Sequence, residues 1–448
     1  MADNFYKRAL AVAVPIAVHN LIISSINMAD VFMVGQLGEA SIAALGISNQ
    51  LMFLFILSLF GMGSGGQIFI AQFFGKKDNI NLQRVMGIMF IPAFLLSVLM
   101  ASGAYFFPEL LMSAFSKDAH VLHLSSSYLK IVALSYPFTA VSFIFQIVLR
   151  STDSPRVPVY TSSFALLTNV ILNWFLIFGN WGFPQLGIAG AAIATVAARI
   201  SETLLTLFFV YFKKTASAAK ISHVLDFRMD LIKRVFVTSI PVFINEVTWA
   251  SGIVALNIIF ASLGTESIAA VNIVESVCRL SFAAFIGIAN AAGVILGTDI
   301  GAQKYSQVRE HSKRFSGLSI ISGILTSIVL FSSAPAVISI YNISDHVAGL
   351  ALKTISVWVL IMPLVSFNCL NIVGILRSGG DTKAALWIDI SSLWVVGVPA
   401  AFMGVAFFNM PVYAVYFLAK TEELFKFFFG LKRYMSKKWI NNLVEDIN

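Results

Sequence analysis

Apolar runs of 20 or more residues recur along the whole 448-residue chain, separated by short polar stretches. A run of about 20 apolar residues can cross a bilayer as a helix, because helical hydrogen bonds satisfy its backbone inside lipid. The pattern predicts twelve such spans. Six lie near residues 9–34, 43–74, 84–107, 121–149, 157–179 and 186–212. Six more lie near 234–262, 269–300, 314–333, 350–376, 384–407 and 411–431. The first follows Lys7 and Arg8, as in a signal peptide, but it is too long for that and no convincing cleavage site follows, so it reads as a retained helix. The expected fold class is an all-α polytopic membrane protein.

The two sets of six are copies of one unit. Leu37-Gly38-Glu39-Ala40-Ser41-Ile42-Ala43-Ala44 returns about 226 residues later as Leu263-Gly264-Thr265-Glu266-Ser267-Ile268-Ala269-Ala270. The same offset pairs Pro15 with Pro241, Gly61 with Gly287, Gly75 with Gly301 and Pro137 with Pro363. One residue later in register, Leu149-Arg150-Ser151 pairs with Leu376-Arg377-Ser378. An even number of spans per copy makes the repeat parallel, as in transporters built from two six-helix halves. The expected division is an N-terminal lobe over 1–212, a cytoplasmic linker over 213–233 and a C-terminal lobe over 234–448 with a short cytoplasmic tail.

Composition agrees: 58% of residues are hydrophobic and 12% charged, with a mean hydropathy of +0.85. Soluble domains carry about twice that charge. The net charge of +8 would suit nucleic acid if the basic residues formed one face. Instead they fall in alternate loops, among them Lys76, Lys77, Arg84, Lys213, Lys214, Lys304, Arg309, Lys432 and Arg433, while the intervening loops hold only Lys117 and Lys353. That asymmetry places both termini in the cytoplasm and excludes a nucleic-acid partner. Two cysteines, Cys278 and Cys369, lie inside apolar spans, and six scattered histidines form no His-Glu-x-x-His pair. No disulfide framework or zinc spacing arises.

An ionisable group inside a span costs about 2.5–3.5 kcal/mol on insertion scales, so each is a functional candidate. Asp30 lies late in the first span, Glu246 midway through the seventh and Asp389 inside the eleventh. Glu275 and Arg279 stand four apart in the eighth, a spacing that suits an internal ion pair. Asn169 and Asn173 share one face of the fifth, and Thr195 lies in the sixth. The acids are not repeated: Asp30 corresponds to Leu256, Asn20 to Glu246, Asn49 to Glu275 and Ser162 to Asp389, while Asn169 and Asn173 correspond to Val396 and Ala400. The fold therefore tolerates a neutral residue at each place, and the acids serve transport. Pro15 and Pro241 are repeated, and a proline inside a helix is a candidate hinge. Arg150 and Arg377, also repeated, are expected at cytoplasmic helix ends, on last-turn carbonyls or lipid phosphate, with a gating salt bridge as the lesser alternative.

Asn27-Met28-Ala29-Asp30-Val31-Phe32-Met33-Val34-Gly35-Gln36-Leu37-Gly38 resembles the end of the first helix of multidrug and toxic compound extrusion (MATE) transporters. Ala71-Gln72-Phe73-Phe74-Gly75 and Leu376-Arg377-Ser378-Gly379-Gly380-Asp381-Thr382 resemble that family too, and the likeness covers essentially the whole chain. It implies two six-helix lobes around a central cavity, and export of amphiphilic, often cationic, compounds against inward protons or sodium ions. By this resemblance Asp30, Asn169, Asn173 and Thr195 match the N-lobe cation site of one branch, which usually has an aspartate where this chain has Asn173. What remains is one acid among neutral oxygens, able to take a proton or a sodium ion. Glu246 matches an acid that another branch uses in a C-lobe cation or substrate site. That branch also has an aspartate in the tenth helix, where this chain reads Val365-Ser366-Phe367-Asn368-Cys369-Leu370-Asn371, so Asp389 is the proposed substitute. Glu275 joins Glu246 and Asp389 as a C-lobe candidate.

The expectation is a cation-coupled antiporter, not an enzyme, in the plasma membrane. Its partners are amphiphilic small molecules and lipid; it is a monomer with no cofactor and no bound metal beyond sodium at Asp30. Forty phenylalanines and fourteen methionines supply soft apolar surface for flat cations. Gly61-Met62-Gly63-Ser64-Gly65-Gly66 fits G-x-G-x-x-G but lies mid-span, where close helix packing explains it better. Asp226 and Asp230 read as a solvated linker face. A flippase of lipid-linked precursors is the alternative, but it calls for a cationic cavity. A major-facilitator transporter lacks support in the Gly75-Lys76-Lys77-Asp78 loop, and no triad, metal cluster or phosphate loop supports an enzyme.

Overall fold

A computed structural model describes residues 2–152, 154–341 and 343–447. Among them the chain is helical with no strand. The principal helices are α1 (Ala2–Gly35), α2 (Glu39–Lys76), α3 (Asn79–Phe106), α4 (Ala119–Ser151), α5 (Arg156–Phe178) and α6 (Ile188–Phe212). The second set is α7 (Met229–Ala261), α8 (Thr265–Gly301), α9 (Tyr305–Ile338), α10 (Asp345–Leu376) and α11 (Thr382–Ala406). The last, α12, is built from Val412–Lys420 and Glu422–Met435, joined by Thr421 in helical geometry (φ −61°, ψ −20°). Among the described residues, eleven helices are long and apolar enough to cross a membrane. The twelfth expected span is the exception. Lys420, Glu422, Glu423 and Lys426 break its apolar run, yet at about 1.5 Å per residue its length still matches a bilayer core of about 30 Å.

The register change between the copies has a structural form. Residues Leu370–Leu376 of α10 make a π-helical turn, and so do Ser392–Gly397 of α11. A one-residue insertion inside a helix is accommodated in this way. The first π-turn lies between Pro363, aligned at an offset of 226, and Arg377, aligned at 227.

The chain forms two compact units. One holds the chain up to Ala17, residues Ala71–Lys77 and the chain from Ile240 onward; the other holds Val18–Ile70 and Asp78–Ser239. The chain passes from one unit to the other inside α1, α2 and α7. Pro15 and Pro241 each lie within two residues of such a passage, inside unbroken helices. A proline there leaves the carbonyl four residues earlier without its helical donor, which makes bending cheaper.

In the first unit, repeat-related glycines close a reciprocal contact. Gly75 lies against the backbone of Thr298, and Gly301 against the backbone of Gln72, leaving no room for a Cβ at either. The Gln72 amide also donates to the Ser378 carbonyl at 2.9 Å and the Asn441 carbonyl at 3.1 Å, and its oxygen accepts from the Leu443 N–H at 2.8 Å. These bonds, with buried Trp439, strap the C-terminal segment to the ends of α2 and α10. In the second unit, Gly63, Gly65 and Gly66 face Ile147, Ser239 and Met89 at close range, so the glycine-rich stretch serves helix packing. The 213–228 segment is docked on α3. Arg84 pairs with Asp226, the His223 ring meets Gln83 Oε1 at 2.7 Å, and Gly87 lies against Val224. Asp226 is therefore an anchor rather than only a solvated acid.

Candidate functional site

The sequence-predicted residues Asp30, Asn169, Asn173 and Thr195 meet in the second unit. Helical spacing puts Asn169 and Asn173 one above the other on α5. The α5–α6 hairpin is tight: Gly190 abuts Leu176, where a side chain would collide, and Leu186 N–H bonds the Leu176 carbonyl at 2.8 Å. That closeness brings Thr195 of α6 to the asparagines. Asn173 Nδ2 donates to Asp30 Oδ1 at 2.7 Å and to Asn169 Oδ1 at 3.2 Å. Asn169 Nδ2 reaches Thr195 Oγ1 at 3.5 Å, and that oxygen lies 3.5 Å from Asp30 Oδ2. The four side chains form a closed ring, all of them buried. Among the described residues, no lysine, arginine or histidine forms an ion pair with Asp30. The Asn173 Oδ1 atom is buried and has no hydrogen-bond partner. A hard cation prefers oxygen ligands, and the ring supplies carboxylate, amide and hydroxyl oxygens.

The C-lobe candidates have partners. Glu246 pairs with Arg377 at 2.9 Å. Arg377 is thus an internal counter-ion rather than a residue on helix-end carbonyls or lipid, because α7 brings a carboxylate within its reach. Asp389 pairs with Lys426 at 2.9 Å and accepts from Asn245 Nδ2 at 3.0 Å. Glu275 is in neither pair. Among the described residues it makes no ion pair with Arg279, contrary to their spacing: Glu275 is half-buried, while Arg279 is exposed. Helical spacing sets which side chains can meet, not which way each is drawn by its surroundings.

Two charged clusters escape the sequence reading. In the second unit, buried Glu202 accepts from Ser162 Oγ at 2.5 Å and Gln146 Nε2 at 3.1 Å, and pairs with Arg199 at 2.8 Å. His19 is buried in the same unit, with neither ring nitrogen hydrogen-bonded. In the first unit, Glu423 pairs with Lys426 at 3.4 Å and accepts from Asn368 Nδ2 at 2.8 Å. The clusters occupy repeat-related places. Ser162 corresponds to Asp389 at the offset of 227 that also relates Arg150 to Arg377. The signal for them was present: Arg199 and Glu202 are ionisable groups inside an apolar run, as Asp30 is. Among the described residues, no group of three or more His, Cys, Asp or Glu could hold a metal ion.

Comparison with known proteins accords with this geometry. A model of the MatE family matches residues 15–175 and again 241–403. The two matches begin 226 residues apart (241 against 15) and end 228 apart (403 against 175), close to the offset of the internal repeat. The probable multidrug resistance protein YoeA of Bacillus subtilis is 26% identical over 87% of this chain and 85% of its own length. The probable multidrug resistance protein NorM of Thermotoga maritima is 23% identical over 97% of this chain and 93% of its own. Among solved structures, MATE in the bent conformation superposes with a TM-score of 0.87 at 16% identity, over 97% of this chain and 96% of that one. MATE in the straight conformation gives 0.87 at 16%, over 96% of each.

Proposed function

The chain belongs to the MatE family, and from that premise we propose that it exports amphiphilic organic cations from the cell, driven by inward protons or sodium ions. Family and fold are those of membrane transporters. Two relatives carry the name of multidrug resistance proteins, which supports a cargo class defined by shape and charge. Basic loops on alternate sides support a plasma-membrane protein with both termini cytoplasmic.

The observation that carries the reading is Asp30: a buried carboxylate held by neutral donors, beside an amide oxygen with no partner. A proton or sodium ion arriving from outside takes up its charge. The hydrogen bond from Asn173 then loses its ionic partner and about half its strength. The ring around the end of α1 relaxes, and the state that results binds cargo less well. An ion that binds two states with different affinity shifts their balance by that difference, and cargo changes ion affinity by the same factor. A coupling of about 1–3 kcal/mol corresponds to roughly 5–150-fold in affinity. Pro15, near the passage of α1 between units, is the proposed hinge for this change, and Pro241 its counterpart in α7.

The test is transport of ethidium in proteoliposomes under separately imposed pH and sodium gradients. Export driven by one of the two supports the reading and names the ion. Export driven by neither overturns it. The flippase alternative gains no support from the charged cluster on α7, α10, α11 and α12. There three carboxylates face two bases, the wrong balance for a diphosphate.

A further inference from the structure

The second unit holds another polar layer besides the Asp30 ring. His19 lies three turns before Asp30 on α1 (19 against 30), Ser162 two turns before Asn169 on α5 (162 against 169), and Glu202 two turns after Thr195 on α6 (202 against 195). Because α6 runs back against α5, all three steps go the same way. They lead toward the end of the unit that faces the cytoplasm when both termini are cytoplasmic. At about 1.5 Å per residue the two layers stand about 10–17 Å apart. Glu202 anchors the second layer, held by Ser162, Gln146 and Arg199. Ser135, Thr139 and Ser142 precede Gln146 on one face of α4, spaced four, three and four apart, and all are buried. Polar groups therefore continue from Glu202 along the interior of the unit.

His19 is the member of this layer that packing leaves unused. It is 5% exposed, and neither ring nitrogen has a hydrogen-bond partner. A neutral imidazole has one N–H donor and one bare acceptor, and a buried polar atom left unpaired is costly. The groups that act on the ring are Glu202 and Arg199 of α6 and Arg150 and Gln146 of α4. With one carboxylate and two arginines around it, a proton on the ring is neither locked in an ion pair nor shut out. The internal repeat speaks against an architectural role. Asn245 stands at the related place, at the offset of 226, and its amide holds Asp389, so an amide satisfies the fold there. His19 also lies one turn after Pro15, just inside the passage of α1 between the units. Bending at the proline moves it.

We propose that His19, with Glu202 as its counter-charge, is a second proton site of this transporter, through which protons pass from the Asp30 layer to the cytoplasm. The bare ring nitrogen accepts a proton from water beside it, and an imidazolium forms next to the Glu202 carboxylate. The other nitrogen then gives its proton to water on the cytoplasmic side. The ring returns to neutral as the opposite tautomer, and a ring flip restores the first. Glu202 stays ionised throughout, and no electron moves. Such a relay uses both nitrogens, which is why neither is spent on a fixed partner. Histidine suits the place because it is the side chain whose ordinary titration lies nearest neutral pH. This site rests on the exporter reading and deepens it by naming protons as the driving ion.

The test compares the full wild-type chain with His19→Asn in proteoliposomes; the variant carries the residue that the other repeat has at this place. Under a gradient that drives protons inward, proton entry coupled to ethidium efflux is expected to fall at least tenfold. Ethidium-for-ethidium exchange moves no proton and is expected to stay within about twofold of wild type, whereas a structural role would slow both alike. A second measurement needs no variant and no cargo. In nanodiscs, the nitrogen-15 signals of the wild-type His19 ring are expected to move reversibly between their neutral and protonated positions as pH is lowered, with the protein still folded. Proton entry in His19→Asn at the wild-type rate, equal slowing of entry and exchange, or a ring that never takes up a proton in the folded protein would overturn the site. Efflux driven by sodium alone would overturn it too and leave the exporter reading standing. A ring that titrates in a protein that exports ethidium under neither gradient keeps the proton site and loses the exporter reading.

Discussion

Asn173 of α5 donates its amide to the Asp30 carboxylate of α1 at 2.7 Å, across 143 positions of sequence. This bond joins a helix that passes between the two units to a helix that stays within one. Its donor is neutral, and among the described residues no base forms an ion pair with Asp30. Asn173→Ala is expected to remove a hydrogen bond to a charged group, worth about 1.5–3 kcal/mol. A fall in melting temperature of the purified protein, together with reduced cation-driven efflux, is the expected outcome.

The Glu246–Arg377 pair tests whether the C-lobe acid is free or matched. Arg377 is almost wholly buried. Arg377→Met should strand Glu246 and destabilise by about 3–5 kcal/mol, while Arg377→Met with Glu246→Leu should recover most of that loss. A double-mutant cycle on thermal unfolding in detergent reads both. Equal destabilisation by the single and double variants would contradict the pairing.

Two glycines separate packing from propensity. Gly301 meets the Gln72 backbone where a Cβ would sit, so Gly301→Ala is expected to overpack and cost about 1–3 kcal/mol. Gly317, in α9, has open space there and is exposed. Gly317→Ala should stabilise the helix by roughly 0.5–1 kcal/mol. Opposite shifts in melting temperature are expected.

Outside the spans, Asp118 caps α4 by accepting the N–H groups of His120 at 2.8 Å and Val121 at 3.0 Å. The Val121 and His120 amides hold its carboxyl below the ordinary carboxylate value. A carboxyl so lowered stabilises the folded end above the unfolded value of about 3.9, and that support is lost as pH falls through the lower folded value. Hydrogen exchange at residues 120–122 should therefore be protected near neutral pH and loosen in acid, and Asp118→Ala should loosen it at both.

Much of this architecture is legible in the chain, because apolar run length and an offset repeat both survive without tertiary information. The change of register between Pro363 and Arg377 is readable; that it takes the form of a π-turn is not, since a loop would shift the register equally. Asp30, Asn169, Asn173 and Thr195 are legible through resemblance together with the α5 spacing. The cluster around Lys426 is not, because its members come from α7, α10, α11 and α12 and are joined only by packing. Glu275 and Arg279 mislead for a related reason. The i,i+4 rule was learned on helix surfaces in water, and here one side chain turns inward and the other out.

The most direct test compares wild type and Asp30→Asn in proteoliposomes, measuring ethidium efflux and the matching inward ion flux under an imposed gradient, alongside ethidium binding at equilibrium. If the charge on Asp30 is what the driving ion acts on, the variant folds and binds ethidium but shows neither gradient-driven efflux nor coupled ion entry. Efflux and ion entry in Asp30→Asn at wild-type rates would contradict that claim.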